Sequence, residues 1–210
     1  MSNVLIVDDH TIVRDGIKRI LEDNGDFDSI EDAGSGQEAL QKMLLEKYDL
    51  IVLDISLPGK DGIEILKEIK TTHPGMYVLI LSMYSEDIYG IRALRAGADG
   101  YVCKESASEE LVSAVKTIMN GRKYISTALA EKIAINITDK TSENLHERLS
   151  EREYQIVCKL ARGKTVSEIA QDLALSKQSI STYRARALQK MKFKNNGELM
   201  FYAIKNGLVD

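Results

Sequence analysis

Tyr48 to Gly62 reads YDLIVLDISLPGKDG and carries the clearest structural signal in this chain of 210 residues. Leu50 to Leu53 is a four-residue apolar run, too short for a helix and rich in β-branched side chains. Such a run predicts a parallel strand buried on both faces. Asp54 follows at once, where the strand leaves the core. Pro58, Gly59 and Gly62 then punctuate a loop before a helical pattern begins at Ile63. Ligand sites in open α/β sheets lie at the carboxyl ends of strands, so a carboxylate placed there is a candidate for chemistry. Taken alone, Asp54 is equally well explained as a cap for the following helix.

The same grammar extends in both directions. Val4 to Val7 is a second short β-branched run, ending at Asp8 and Asp9. A weaker strand is expected over Phe27 to Ala33, another over Met76 to Leu81 ending at Ser82, and a fifth over Asp99 to Cys103 ending at Lys104. Between them apolar residues recur at helical spacing: Ile12, Val13, Ile17, Ile20 and Leu21, then Ala39, Leu40, Met43 and Leu44, then Ile63, Ile65, Leu66 and Ile69, then Ile88, Ile91 and Leu94. A last helix runs from Ser108 to Met119 and stops at Gly121. Strands and helices alternating in this way predict right-handed βαβ units, hence a five-stranded parallel sheet with helices on both faces.

Parallel strands bring their carboxyl ends to one edge, which gathers Asp8, Asp9, Asp54, Ser82 and Lys104. Three carboxylates there repel one another and raise one another's pKa unless a cation intervenes. Hard oxygen ligands with room for water suit Mg²⁺. A carboxylate flanked by a hydroxyl and an ammonium is the arrangement that binds and accepts a phosphoryl group, with Asp54 as the nucleophile. Singly, each residue has an ordinary explanation as a cap, a solvated lysine or a strand-end serine. Jointly, at matching strand ends, they predict a phosphoryl site.

Composition places the chain among globular proteins, with 44% hydrophobic and 29% charged residues. No apolar run approaches a membrane span, and the N-terminal MSNVLIVDDH has neither a basic region nor a cleavage site, so a cytoplasmic protein is expected. Cys103 and Cys158 are far apart and share no metal-ligand spacing with the three histidines, which predicts reduced, packed thiols. Charge divides the chain. Residues 148–210 hold 12 lysines and arginines against 6 acids, a net of +6, which leaves −10 on the remainder of a chain whose total is −4. An acidic half joined to a basic half predicts two domains with different partners, the basic one a candidate for nucleic acid.

Asn120 to Glu147 forms the boundary, with a short helix suggested by Leu129, Ile133, Ile135 and Ile137 and a polar tether around DKTSENLH that holds His146 as a solvated residue. From Leu149 the pattern is wholly helical. Ser150 with Glu153 makes a capping box, Gly163 ends the first helix, and Thr165 to Leu173 forms a second. Ala174 and Leu175 turn the chain, Ser176 caps a third helix running to Lys190, and Glu198 to Asn206 forms a fourth that ends at Gly207. Ala170 and Ile180 stand at helix-turn-helix spacing. Ile180, Tyr183, Ala187, Leu188 and Met191 share the inner face of the third helix. Lys177, Gln178, Ser181, Thr182, Ala185, Arg186 and Gln189 occupy the other and are the candidate DNA-reading residues.

The pair DD at 8–9, D-x-x-L-P-x-x-D-G from Asp54, LS at 81–82 and YVCK at 101–104 resemble the receiver domain of two-component response regulators. LSEREYQIVCKLARGKTVSEIAQDLALSKQSISTYRARALQKM resembles the LuxR-type DNA-binding domain, so the whole chain resembles a response regulator of the NarL/FixJ type. The resemblance implies an α/β flavodoxin-like receiver over residues 1–122, a linker over 123–147, and an all-α four-helix helix-turn-helix domain over 148–210. It implies a phosphoryl group on Asp54 taken from a sensor histidine kinase, with Ser82, Lys104 and Tyr101 as phosphoryl-site and switch residues. It implies Mg²⁺ on Asp9, Asp54 and the Ser56 carbonyl with Asp8 acting through water, binding to double-stranded DNA, and a homodimer when phosphorylated. Met83 stands where many receivers have alanine, and Ser181 and Ala185 stand where many LuxR-type domains are basic. Two other readings stay open: a slow aspartyl-phosphate phosphohydrolase, although Ser56 stands where such enzymes have a second acid, and a regulated module that binds protein or RNA through its basic half.

Overall fold

The structure, a computed structural model, describes residues 2–24, 27–57, 62–84, 86–138 and 145–209. Side chains 87, 88, 132, 135–138, 147 and 151 lie outside that description, as do the loop expected at Pro58 and Gly59, the helix stop at Gly25 and most of the polar tether. The chain divides into two compact units, Met1–Thr138 and Asp139–Asp210.

In the first unit β1 (Asn3–Val7), β2 (Ser29–Ala33), β3 (Leu50–Asp54), β4 (Tyr77–Ser82) and β5 (Gly100–Cys103) form one parallel sheet in the order β2-β1-β3-β4-β5. Between them run α1 (Thr11–Asn24), α2 (Gly36–Leu45), α3 (Gly62–Thr72), α4 (Glu86–Arg95) and α5 (Ala107–Met119). Period-two alternation sends Val4, Ile6, Leu50, Val52, Leu79, Leu81 and Val102 to one face, where they pack on Ile17 and Leu21 of α1 and on Leu111, Ala114, Val115 and Ile118 of α5. The strands on either side of β1 are reached in opposite directions from it, so β1 and β3 flank a topological switch point.

Two helix residues expected inside lie outside. Ile12 is 88% exposed and Leu44 is 82% exposed. The buried stripe of α1 is Ile17 and Leu21, one turn apart, and that of α2 is Ala39 and Met43. At about 100° per residue, Ile12 lies about 140° from Ile17 and Leu44 about 100° from Met43, off each stripe. Each helix buries a stripe one residue wide, narrower than the apolar pattern suggests.

The segment after α5 runs beside β5. Tyr124 bridges Gly100, its N–H donates to the Asp99 carbonyl at 2.8 Å, and its hydroxyl donates to Glu110 at 2.9 Å. α6 (Thr127–Thr138) packs on α4, with Ser126 Oγ donating to Glu86 at 2.5 Å and Leu129 fully buried. Gly90 permits this approach: a Cβ there would fall 2.8 Å from the Leu129 side chain.

The second unit contains α7 (Glu151–Ala161), α8 (Val166–Asp172), α9 (Lys177–Met191) and α10 (Asn196–Lys205). Both α7 and α8 start in capping boxes, Ser150 with Glu153 and Thr165 with Glu168, which satisfy the first backbone N–H groups of each helix. Gly163 at φ +80° and Gly207 at φ +63° end their helices as expected. Ala174 takes φ +50° in the turn between α8 and α9, where Leu175 N–H returns to the Ala170 carbonyl at 2.9 Å. His146, expected as a solvated tether residue, is half-buried instead. Its Nδ1 lies 3.0 Å from the Tyr202 hydroxyl, and its ring is 6.0 Å from those of Tyr154 and Tyr202. The aromatic surface of α7 and α10 gives an imidazole a better environment than the tether's composition suggests.

Candidate functional site

Register alone places the chemistry. Val7 pairs with Leu53, so Asp8 and Asp54 each come one step later on adjacent strands. Asp54 pairs with Leu81, one step before Ser82, and Ser82 pairs with Cys103, one step before Lys104. Lys104 opens a 3-10 turn, Lys104–Ser106, and its ammonium reaches back across the sheet edge. It lies 2.7 Å from Asp54 Oδ2 and 2.5 Å from Asp8 Oδ2. The other oxygen of Asp54 accepts the Ser56 N–H at 3.0 Å. Asp54 is 2% exposed and Asp8 1%, while Asp9 keeps contact with solvent.

The electrostatics differ in cause from simple crowding. Burial raises the Asp54 pKa; Lys104 and the Ser56 N–H pull it down, and the Asp8 charge is the smallest contribution. Desolvation, rather than mutual repulsion of the acids, therefore dominates. Burial also opposes the charge on Lys104, but Asp54 and Asp8 outweigh it and hold that pKa above its ordinary value. The result is an ionised lysine bridging two buried carboxylates, with Asp9 at the mouth.

Ligand atoms of Asp8, Asp9, His10 and Asp54 lie within 4.8 Å of one another. The oxygen-rich donor set and its surplus negative charge suit a divalent cation. His10 joins the site through its backbone, its N–H donating to Asp8 Oδ1 at 2.9 Å, and through Nδ1, 2.9 Å from Asp9 Oδ1. Its position directly after the acid pair is the signal that could have marked it in the sequence.

Ser82 is buried and accepts the Tyr84 N–H at 3.2 Å. Tyr101 is buried too, its hydroxyl donating to the Tyr84 carbonyl at 2.8 Å. Tyr101 thus already points inward in this conformation. The Tyr84 ring packs on Tyr89, centroids 4.7 Å apart, and Tyr89 precedes Gly90, the seat of Leu129. Met83, beside Ser82, is exposed.

In the second unit Ile180, Ala187 and Met191 of α9 are buried, and Tyr183 and Leu188 are half-buried. Lys177, Gln178, Ser181, Thr182, Ala185, Arg186 and Gln189 are all exposed and follow the opposite face. Thr182 Oγ1 donates back to the Gln178 carbonyl at 2.9 Å, which leaves its hydroxyl oxygen to accept and its methyl to make apolar contact. The helix is anchored from behind: Lys190 reaches the buried Glu153 of α7 at 2.6 Å, and Arg184 donates to Asn196 at 2.7 Å. Burial works against the Glu153 charge, but Lys190 and the Ser150 cap outweigh it and hold its pKa below the usual value. Phe201 and Ile204 lie exposed on α10, three residues apart, while Leu199 and Ala203 are buried.

A switch-point sheet with a lysine-bridged acid pair thus stands in one compact unit, and a helical unit with an exposed helix face follows it in the chain. Residues 4–116 match the response regulator receiver domain, and residues 147–203 match the bacterial regulatory proteins of the luxR family. The response regulator UvrY of Escherichia coli K12 is 34% identical over 209 residues, covering 99% of this chain and 96% of that protein. The response regulator GacA of Pseudomonas aeruginosa is 33% identical over 211 residues, covering 100% and 99%. Among solved structures, RcsB of Salmonella enterica serovar Typhimurium, bound to promoter rprA in the presence of the phosphomimetic BeF3−, matches with a TM-score of 0.63 and 27% identity over 96% of this chain and 98% of that one. The chain belongs to the response regulators, as a transcription factor with a receiver domain and a LuxR-type helix-turn-helix domain. Among the described residues no helix is long and apolar enough to cross a membrane.

Proposed function

We propose that Asp54 accepts a phosphoryl group from a sensor histidine kinase and that this controls binding of double-stranded DNA through α9. One observation carries the reading: Asp54 is a buried carboxylate held between the Lys104 ammonium and the Ser56 N–H, beside the Asp8–Asp9 pair. An oxygen of Asp54 forms the new bond to phosphorus as the bond to the donor nitrogen breaks. Lys104 then offsets charge on the transferred oxygens and Ser82 donates a hydrogen bond to one of them. Asp8, Asp9, Asp54 and the Ser56 carbonyl would hold Mg²⁺, which supplies further neutralisation of phosphoryl charge when bound. No acid stands at Ser56 to activate water, which supports slow hydrolysis of the acyl phosphate rather than turnover.

The signal has a contiguous route. A phosphoryl group that claims Ser82 changes its bond to Tyr84, and Tyr84 contacts both Tyr101 and Tyr89. Tyr89 and Gly90 lie on α4 against α6, which leads the chain toward the second unit. Functionally, residues 1–122 act as receiver, 123–147 as transmitting linker and 148–210 as DNA-binding domain. The net +6 charge of the last segment supports duplex binding, and the exposed Phe201 and Ile204 support a homodimer. Cys103 and Cys158 as thiols suit the cytoplasm.

Incubation with a small phosphodonor and Mg²⁺, followed by intact-mass measurement, should show one added phosphoryl group on wild type and none on Asp54→Asn. Equal uptake by both would reject the assignment. For the second half, Gln178→Ala and Thr182→Ala should reduce discrimination between target and random duplex, by about 1–3 kcal/mol where a bidentate contact is lost. Arg186→Ala should weaken both alike and flatten the salt dependence. Unchanged discrimination in Gln178→Ala and Thr182→Ala alike would remove α9 as the reading helix, and preference for RNA competitor would favour an RNA-binding role.

A further inference from the structure

We infer that Arg14 is a positioning residue for the acidic pocket, holding Asp8 and Asp9 in register with Asp54 from the β2 side, as Lys104 does from the β5 side. This rests on the phosphoryl-site reading above. Arg14 lies in the first turns of α1 and its side chain is only 13% exposed. Its guanidinium makes three separate attachments. Nε donates to Asp32 Oδ2 at 2.7 Å, near the end of β2. Nη1 donates to the backbone carbonyl of Asp8 at 2.7 Å, and Nη2 to Thr11 Oγ1 at 3.2 Å.

The middle bond is the consequential one. Asp8 N–H still bonds along the sheet, to the Ala33 carbonyl at 3.2 Å, and the chain then turns into α1, where the His10 carbonyl takes the N–H groups of Val13 and Arg14. The Asp8 carbonyl is therefore the point where the acid pair leaves the sheet, and Arg14 fixes it there. One planar fork ties the end of β2, the acid pair and the start of α1 into a single frame. The part-buried arm to Asp32, whose carboxylate keeps contact with solvent, adds modest energy by itself. Its geometric role is to stop the guanidinium rotating away from Asp8. Lysine carries its three N–H donors on a single nitrogen, so it cannot reach acceptors spread along a planar fork as Nε, Nη1 and Nη2 do, and Arg14→Lys is an informative change.

The test uses the full chain with Mg²⁺ as the probe, read in two ways: the Mg²⁺-dependent rise in Tm, and the Mg²⁺ concentration giving half-maximal phosphoryl uptake from acetyl phosphate. Groups that orient metal ligands typically alter affinity 10–100-fold, so Arg14→Lys and Arg14→Ala should both raise the half-saturating Mg²⁺ concentration by about tenfold or more. Uptake at saturating Mg²⁺ should stay near the wild-type rate, because Asp54 and Lys104 are untouched. Asp32→Asn should shift Mg²⁺ in the same direction by less. Lys70→Ala serves as the stability control, since it removes an ion pair with Asp99 at the opposite edge of the sheet and should leave Mg²⁺ dependence unchanged. Wild-type Mg²⁺ dependence in Arg14→Ala overturns the inference alone, as does an equal shift in Lys70→Ala. A wild type that neither responds to Mg²⁺ nor takes up phosphoryl overturns the site reading and this inference with it.

Discussion

Gly62 is where a single methyl group should separate fold from function most sharply. It is the first residue of α3, and its N–H donates to the Ile55 carbonyl at 3.0 Å. A Cβ at this position would meet the Asp54 carbonyl oxygen at 2.3 Å and the Ile55 Cα at 2.6 Å, against ordinary contact from 3.4 Å. Gly62→Ala must therefore push α3 and the backbone of Asp54 apart by roughly 1 Å. Both clashing groups are main chain, so no rotamer change relieves them. Overpacking of this kind costs about 1–3 kcal/mol. A misplacement of about 1 Å at a reacting group costs on the order of 10²-fold in rate. The assay is the initial rate of phosphoryl uptake from acetyl phosphate at saturating Mg²⁺, with thermal denaturation in parallel. Gly16→Ala is the companion change: its Cβ would meet nothing within 4 Å inside α1, so it should stabilise by about 1 kcal/mol and leave uptake intact. Uptake by Gly62→Ala within twofold of wild type, with an unchanged melt, would refute the reasoning that this glycine sets the position of Asp54.

Lys104→Met leaves Asp8 and Asp54 buried without their shared cation and should cost about 3–5 kcal/mol in metal-free protein, measured by urea denaturation; a loss below 1 kcal/mol would mean that water already screens the acids. Burial lifts the Asp54 pKa above its usual 3.8, so the folded state holds this proton more tightly than the unfolded chain does. Its contribution is complete below that value and is lost as pH rises through the folded pKa. Metal-free Asp54→Asn should accordingly gain stability relative to wild type between pH 4 and pH 7, and a constant difference across that window would contradict the assigned cause. Ala174→Gly should stabilise the second unit by about 0.5–1 kcal/mol, because relief of the left-handed conformation at φ +50° exceeds glycine's added unfolded-state entropy. Ala174→Val should do the opposite, and a melt that ranks valine above glycine would count against strain in this turn.

Much of this protein was legible along the chain because the signals are local. VLIV, LIVL and VLIL are short β-branched runs that make sense only as strands buried on both faces. Each ends in a polar residue, and parallel pairing then brings those ends together whatever the helices do between them. Ser150 with Glu153 announces a helix start from two residues three apart, since a cap is a bond between near neighbours, and the structure adds a second such box at Thr165 and Glu168. For the same reason the outward face of α9 was readable from spacing alone.

Tertiary structure decided whatever depends on residues distant in sequence. Periodicity marks Ile12 and Leu44 as apolar, but only packing shows that each lies off the stripe its helix buries. Arg14 looks like one more basic residue on a helix until the fold brings Asp32 and the Asp8 carbonyl to its two sides. Gly62 reads as turn punctuation, yet what it touches is the backbone of Asp54 across a loop. Leu129 reads as part of a linker, and Gly90 on α4 is what gives it a seat. His146 reads as a solvated tether residue until Tyr202, 56 positions later, closes on its ring. Hydrophobic period and capping act between residues a turn or a strand apart, so sequence determines the elements and their polar ends. Steric fit, burial and the charge state of Asp54 arise from what lies across the sheet, and there only the folded chain decides.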